Sequence, residues 1–409
     1  MGQNMNRKRY TYNKLIRSIY SFLIFFLNGY TIISEDTVII HLKRRRKSAI
    51  CPQCNRKVKF NSECRERFVR DLDLGPYQAY IHFIQYRLKC RCGYHRYEEF
   101  DFIRKKQRCT IRFEEYVAML CEKMNIKDVS EVTGLDWKTI KRIDKYYIKK
   151  NIVPLDDIFP TKLGVDEVAY EKGHNYLTIV RDLDLGKVIW IGLARKEKTM
   201  DKFFVELGEE KTKNIELFVT DMWDPYIASI KKNCPMAEIV FDKFHVLKKI
   251  NEALDKVRRK EFAQADDKER KEMLHKRFLI LARSKNLKPN KKDDLKFLMK
   301  KNRRLYKAYL LKEQIADIFN EDNENDAYWR IINWMENVRK SKIDELIKCL
   351  KTISKYFYGI YNYFKYKVTN AQSEGFNTKV NIIKRRAYGF SDLEYFKLKI
   401  FQSCGVWQS

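Results

Sequence analysis

Lys162-Leu163-Gly164-Val165-Asp166-Glu167-Val168 reads as a β-strand that carries two adjacent acids. Working outward, Tyr176 to Arg181 and Lys187 to Leu193 read as two more strands. They are joined through the turn-like Asp182-Leu183-Asp184-Leu185-Gly186. Met200 to Leu207 is helical. Ile215 to Thr220 is an apolar run that ends at Asp221, and Met222-Trp223-Asp224-Pro225-Tyr226 then opens a helix. Glu238 to Phe241 is a further strand, ending at Asp242-Lys243-Phe244-His245. Three antiparallel strands, a helix, then strands alternating with helices is the order of an RNase H-like domain. In such a sheet, acids at the ends of the first and fourth strands converge.

From Val246 to about Lys367 the pattern is almost wholly helical and dense in Lys and Arg, which predicts a helical insertion. The chain then runs through Thr369-Asn370-Ala371-Gln372-Ser373-Glu374-Gly375-Phe376-Asn377, with Thr369 or Asn370 as a plausible helix N-cap. An acid in a first turn ordinarily serves the helix dipole. Glu374 is singled out by its company. Gly375 costs helix stability unless something approaches the backbone closely, and Lys384, Arg385 and Arg386 suit a phosphate-handling surface. Asp166, Asp221 and Glu374 are therefore the candidate metal-binding acids. Two divalent ions held ~4 Å apart by carboxylates activate an attacking oxygen and stabilise a leaving one. Hard Mg²⁺ prefers such oxygen ligands. Glu167 follows Asp166, but strand alternation sends it to the opposite face. Asp224, just before Pro225, looks like a turn or helix-start residue.

The chain has 409 residues, which allow two to four domains, and 44% hydrophobic residues, enough for real cores. Its 84 Lys and Arg against 54 Asp and Glu give a net charge of +30, which makes nucleic acid the default partner. Ile19 to Ile33 is apolar, but it is short for a membrane span, is interrupted by Asn28 and Gly29, and has no small-residue cleavage site. It is expected to be a buried N-terminal element, with no membrane partner. The ten cysteines are not spread like a disulfide framework, which argues for a reducing compartment.

Asp36 to Leu42 reads as a strand. Cys51-Pro52-Gln53-Cys54 and Cys90-Arg91-Cys92-Gly93 flank a segment of strand character, Ala79 to Lys89. Two close Cys pairs at opposite ends of a β-rich segment predict a zinc ribbon with one structural Zn²⁺, and Cys64 and His95 are spare candidates. Arg104 to Tyr147 is helical and contains the shape of a helix-turn-helix. A first helix ends at Gly134, and Asp136 caps a second that presents Trp137, Lys138, Lys141 and Arg142 outward, suited to the major groove.

Together, the Cys51/Cys54 and Cys90/Cys92 pairs, the helix-turn-helix, Gly164-Val165-Asp166-Glu167, Asp221-Met222-Trp223, Phe241 to Val246, and Glu374-Gly375 through Lys384-Arg385-Arg386-Ala387-Tyr388-Gly389-Phe390 resemble the DDE insertion-sequence transposases of the ISL-three family. The resemblance covers nearly the whole chain from about residue 36. It implies a multidomain α/β protein: an N-terminal zinc ribbon (36–103), a helix-turn-helix (104–153), and an RNase H-like mixed-sheet catalytic domain (154–245 and 368–409) split by a helical insertion (246–367). Residues 1–35 form an apolar extension without a counterpart. Asp166, Asp221 and Glu374 would be the catalytic triad, holding two Mg²⁺ or Mn²⁺. Asp242 and His245 resemble an Asp-x-x-His pattern that helps hold DNA or the active site. The implied partners are terminal inverted repeats and target DNA, bound by a homodimer or higher assembly. The implied location is the bacterial cytoplasm, on the nucleoid when DNA is bound. A non-enzymatic DNA-binding relative and an RNase H-like nuclease are the alternatives, and acids at all three positions favour the enzyme.

Overall fold

A computed structural model describes residues 18–20, 22, 24–60, 63–171, 173, 175–368, 372–387 and 389–408, apart from the side chains of Lys268, Glu272, Gln372, Ser373 and Glu374. The chain divides into two compact units, Met1–Lys150 and Asn151–Ser409.

The first unit contains strands β1 (Phe25–Ser34), β2 (Thr37–Arg44), β3 (Ser48–Ile50), β4 (Lys57–Lys59), β5 (Cys64–Arg70), β6 (Gln78–Lys89) and β7 (His95–Tyr97). The main sheet has the order β1-β2-β6-β5, with β7 also on β6, and β3-β4 form a separate hairpin. Alternation along β2 and β6 buries Val38, Ile40, Ala79, Ile81 and Phe83 on one face. The apolar stretch Ile19 to Ile33 is buried only in its first part, where Tyr20 and Phe25 enter the core of this sheet and Phe22, Ile24 and Leu27 pack against it. Its later part forms most of β1, which pairs antiparallel with β2 and leaves Tyr30, Ile32 and Ile33 exposed. A break at 35/36 therefore falls in a hairpin turn. Among the described residues, no helix is long and apolar enough to cross a membrane.

Three helices follow: α1 (Ile111–Lys123), α2 (Ile126–Thr133) and α3 (Trp137–Asn151). Helix does not begin at Arg104 as the periodicity predicts. Thr110 caps α1 by accepting the Phe113 N–H, and Arg104 lies before that cap, paired with buried Glu114. α2 ends at Gly134, whose φ of 69° is the left-handed conformation a helix stop needs. Asp136 Oδ2 then accepts the N–H groups of Lys138 (3.1 Å) and Thr139 (3.2 Å) to start α3. Phe113, Val117, Val129, Ile140 and Ile143 form the core of this bundle.

The second unit is built on β8 (Lys162–Glu171), β9 (Asn175–Asp182), β10 (Lys187–Leu193), β11 (Leu217–Thr220) and β12 (Glu238–Phe241). Their order is β10-β9-β8-β11-β12. The first three are antiparallel, and β11 runs parallel to both β8 and β12. This is the RNase H-like mixed sheet that the sequence order predicts. Helices α4 (Glu197–Leu207) and α5 (Asp224–Asn233) cover one face, where Leu163, Val165 and Val180 meet Met200, Phe203, Tyr226 and Ile230. After β12, α6 (Lys243–Gln264) opens a run of helices that continues to α7 (Phe357–Tyr366). A domain break at 245/246 would cut α6 in its first turn. α7 packs against β12 so closely that a Cβ at Gly359 would lie 2.5 Å from the Phe241 ring. Helices α8 (Gln372–Arg386) and α9 (Leu393–Cys404) cover the other face of the sheet, where Val168, Leu177 and Ile179 pack on Phe376, Val380, Phe396 and Ile400.

Candidate active site and cysteine cluster

β8 outruns its neighbour. Its pairing with β11 stops at Gly164↔Val219, although the strand continues to Glu171. Asp166 therefore lies within β8 rather than at its end, just past the last paired residue. Asp221 follows immediately after β11. Both line a cleft of about 190 Å³ together with Glu167, Arg195, Trp223, Tyr226, His245, Lys248, Lys249 and Glu252.

Asp166 is buried. Its Oδ1 accepts the Glu167 N–H at 2.7 Å, and its Oδ2 accepts the Asn377 side-chain amide of α8 at 3.1 Å. Burial, and then the negative charge of Asp221, push its carboxyl above the usual carboxylate range. Asp221 Oδ1 lies 2.6 Å from His245 Nε2. Burial works against the His245 imidazolium, but the Asp221 hydrogen bond and the charges of Asp221, Asp166 and Asp242 hold it above its ordinary value.

Glu167 is where strand alternation misleads. It does point to the opposite face from Asp166. With β11 already ended, however, that face also opens on the cleft, and Glu167 pairs there with Arg195 at 3.0 Å. Burial raises the Glu167 carboxyl, with Arg195 opposing. Asp224 is structural: it opens α5 and binds Lys355 Nζ (2.7 Å) and the Tyr356 hydroxyl (2.6 Å). Asp242 caps α6 by accepting the Phe244 N–H at 2.8 Å. That cap sets the first turn on which His245 reaches Asp221.

The backbone at Glu374 lies in α8, three residues and so about one turn before Asn377. The Glu374 side chain, and the proposed caps Thr369 and Asn370, lie outside the described residues. Among the described residues, a Cβ at Gly375 would meet nothing within 4 Å, so none of the described strands demands glycine there. Lys384 donates to the Ala169 carbonyl at 2.8 Å and ties α8 to the end of β8, whereas Arg385 is exposed and Arg386 half-buried.

Sequence reasoning missed Asn377, Arg195, Lys248, Lys249 and Glu252. The last three had a readable signal: with His245 they recur at helical spacing along one face of α6. The donor set fits a hard divalent cation. The cleft offers carboxylate oxygens, the Asp166 carboxyl is disfavoured as an anion by burial and then by the charge of Asp221, and buried Asn377 Oδ1 beside it has no hydrogen-bond partner among the described residues.

In the first unit the sulfur atoms of Cys51, Cys54, Cys90 and Cys92 all lie within 4.8 Å of one another, and none is in a disulfide. Two tight turns bring them together. In one, the Asn55 N–H donates to the Cys51 carbonyl (2.9 Å); in the other, the Gly93 N–H donates to the Cys90 carbonyl (3.0 Å). Burial opposes the Cys51 thiolate, but the N–H groups of Gln53 and Cys54 bring its pKa down to about 7. Four soft ligands so placed suit one structural zinc. Cys64 and His95 are exposed and outside this cluster. On α3, Trp137, Lys138 and Arg142 are exposed and Lys141 half-buried.

A helix-turn-helix, a four-cysteine ribbon and an RNase H-like sheet with acids at one cleft define a transposase of the DDE class. Comparison with known proteins agrees. A family model described as "Transposase" matches residues 163–400. The "helix-turn-helix domain of transposase family ISL3" matches 98–148. The "zinc-finger of transposase IS204/IS1001/IS1096/IS1165" matches 47–93. The chain is 32% identical to the transposase for insertion sequence element IS1001 of Bordetella parapertussis, over 89% of this chain and 91% of that one. It is 25% identical to the transposase for insertion sequence element IS1557 of Mycobacterium tuberculosis, over 85% and 84%. The chain belongs to transposase family ISL3.

Proposed function

We propose that this transposase binds the terminal inverted repeats of its insertion sequence and cuts and joins DNA with Asp166, Asp221 and Glu374 holding two Mg²⁺ or Mn²⁺ ions. One observation carries the reading: two acids remote in sequence share one cleft, and α8, the helix of Glu374, reaches Asp166 through Asn377. The bound ions would activate the attacking oxygen, first of water and then of a freed 3′-hydroxyl, and stabilise the leaving oxygen. The chain's own groups orient the ligands. The Glu167 N–H and Asn377 fix both oxygens of Asp166, and His245 engages Oδ1 of Asp221, leaving Oδ2 for a cation. Lys248 and Lys249 bring positive charge to a cleft meant for phosphodiesters.

In the first unit, one zinc on the four cysteines would hold the ribbon, and the N-terminal turns of α3 would enter the major groove with Trp137, Lys138, Lys141 and Arg142. Lys384, Arg385 and Arg386 would face DNA beyond the cleft. Asp242 acts as a helix cap, and His245 is the member of that pair in the site. The working protein would be a homodimer or higher assembly on its two ends and target DNA, in the bacterial cytoplasm. The test is cleavage of a labelled duplex carrying the element end. Asp166→Asn or Asp221→Asn should abolish Mg²⁺-dependent cutting and spare binding. A wild-type protein that binds ends but cuts with neither metal would leave the DNA-binding reading instead.

A further inference from the structure

Arg195 sits at the mouth of the cleft, and the metal chemistry does not use it. Its position is fixed to an unusual degree. Ala194, just before it, has a φ of 66°, a left-handed conformation that costs a non-glycine residue. Two hydrogen bonds hold it there: the Ala194 N–H donates to the Tyr176 carbonyl at 2.8 Å, and Thr178 Oγ1 donates to the Ala194 carbonyl at 2.6 Å. The turn swings Arg195 back over the end of the sheet. There the Trp223 indole N–H donates to the Arg195 carbonyl at 3.1 Å. The guanidinium carbon lies 4.4 Å from the Tyr176 ring centroid and 4.7 Å from that of Trp223, with Nη1 3.0 Å from Glu167 Oε1.

Backbone, ring contacts and one Nη are thus set before any substrate arrives, while the side chain stays 32% exposed. A guanidinium has five N–H donors in a rigid fork, and among the described residues Glu167 engages one side of it, through Nη1. That fork matches the oxygens of a phosphate, and a stacked, pre-oriented arginine loses little freedom on binding one. We propose that Arg195, fixed between Tyr176 and Trp223, binds the DNA phosphate next to the one being cut and so sets the register of the strand in the cleft. This rests on the catalytic reading of the cleft given above. The competing role is purely internal: Arg195 only neutralises Glu167.

The test uses the full chain and element-end duplexes in which one phosphate at a time around the cut site is replaced by an uncharged methylphosphonate. With wild type, neutralising one linkage beside the cut should slow cleavage by about tenfold or more. Arg195→Met should be slow on the natural duplex and lose no further rate at that one linkage, while every other linkage keeps its wild-type effect. Arg195→Lys keeps the charge but not the fork, so it should restore only part of the penalty. Should Arg195→Met fail to fold, the lysine variant carries the same comparison. Unchanged penalties at every linkage would overturn the proposal in favour of the internal role. Binding of the same duplexes without divalent metal separates the two claims. A wild type that binds but never cuts refutes the catalytic reading, and the phosphate contact then stands or falls on the binding scan.

Discussion

Asn377→Leu tests how the two ends of the catalytic domain are joined. Among the described residues, the Asp166 carboxylate accepts hydrogen bonds from the Glu167 N–H and the Asn377 amide, and the substitution removes the second at nearly constant volume. A hydrogen bond to a charged group contributes about 1.5–3 kcal/mol. Outer contacts of this kind typically change metal affinity by about 10- to 100-fold. Burial and Asp221 already push the Asp166 carboxyl upward, so losing a donor moves it further toward the protonated form, which does not bind cations. The half-saturating Mg²⁺ concentration for cleavage should therefore rise by about 10- to 100-fold, with most of the rate recovered at high Mg²⁺. The assay is the rate of element-end cleavage against Mg²⁺ concentration, with end binding measured in parallel. A variant with an unchanged Mg²⁺ titration would refute the view that α8 orients Asp166 for a metal.

Two other predictions concern the first unit. The purified chain should contain about one zinc, the stoichiometry of a Cys₄ site, and Cys90→Ser should release it and lower the unfolding temperature of that unit; zinc analysis and thermal unfolding read both, and a metal-free wild type with unchanged melting would contradict the site. Arg142→Ala should weaken end binding and reduce the slope of log affinity against log salt by about 1 if it meets a phosphate, or cost about 1–3 kcal/mol at one base pair if it reads an edge; equal affinity of wild type for end and random DNA would leave only electrostatic binding.

The sheet of the catalytic domain was legible because its strands are short, apolar and separated by clear turn signals such as Asp182 to Gly186. The helix-turn-helix was legible for the same kind of local reason: Gly134 and Asp136 mark a stop and a start that depend on neighbours in sequence. The cysteine set was written in its spacing. The misreadings came from non-local facts. Ile32 and Ile33 are as apolar as core residues, yet lie on an edge strand, which no periodicity in one segment reveals. Glu167 reaches the cleft because β11 stops early, a property of the partner strand and not of β8. Asn377 and Arg195 gain their roles only once α8 and the turn after β10 are placed against other elements.

The most direct measurement is element-end cleavage and joining by Glu374→Gln, beside Glu394→Gln on α9 as a control of the same chemistry. Glutamine keeps shape and volume but removes the charge that would hold a cation. The account predicts that the Glu374 variant binds ends almost as wild type does but neither cuts nor joins with Mg²⁺ or Mn²⁺, while the Glu394 variant stays active. Normal cutting by Glu374→Gln together with a dead Glu394→Gln would show that the third acid lies elsewhere.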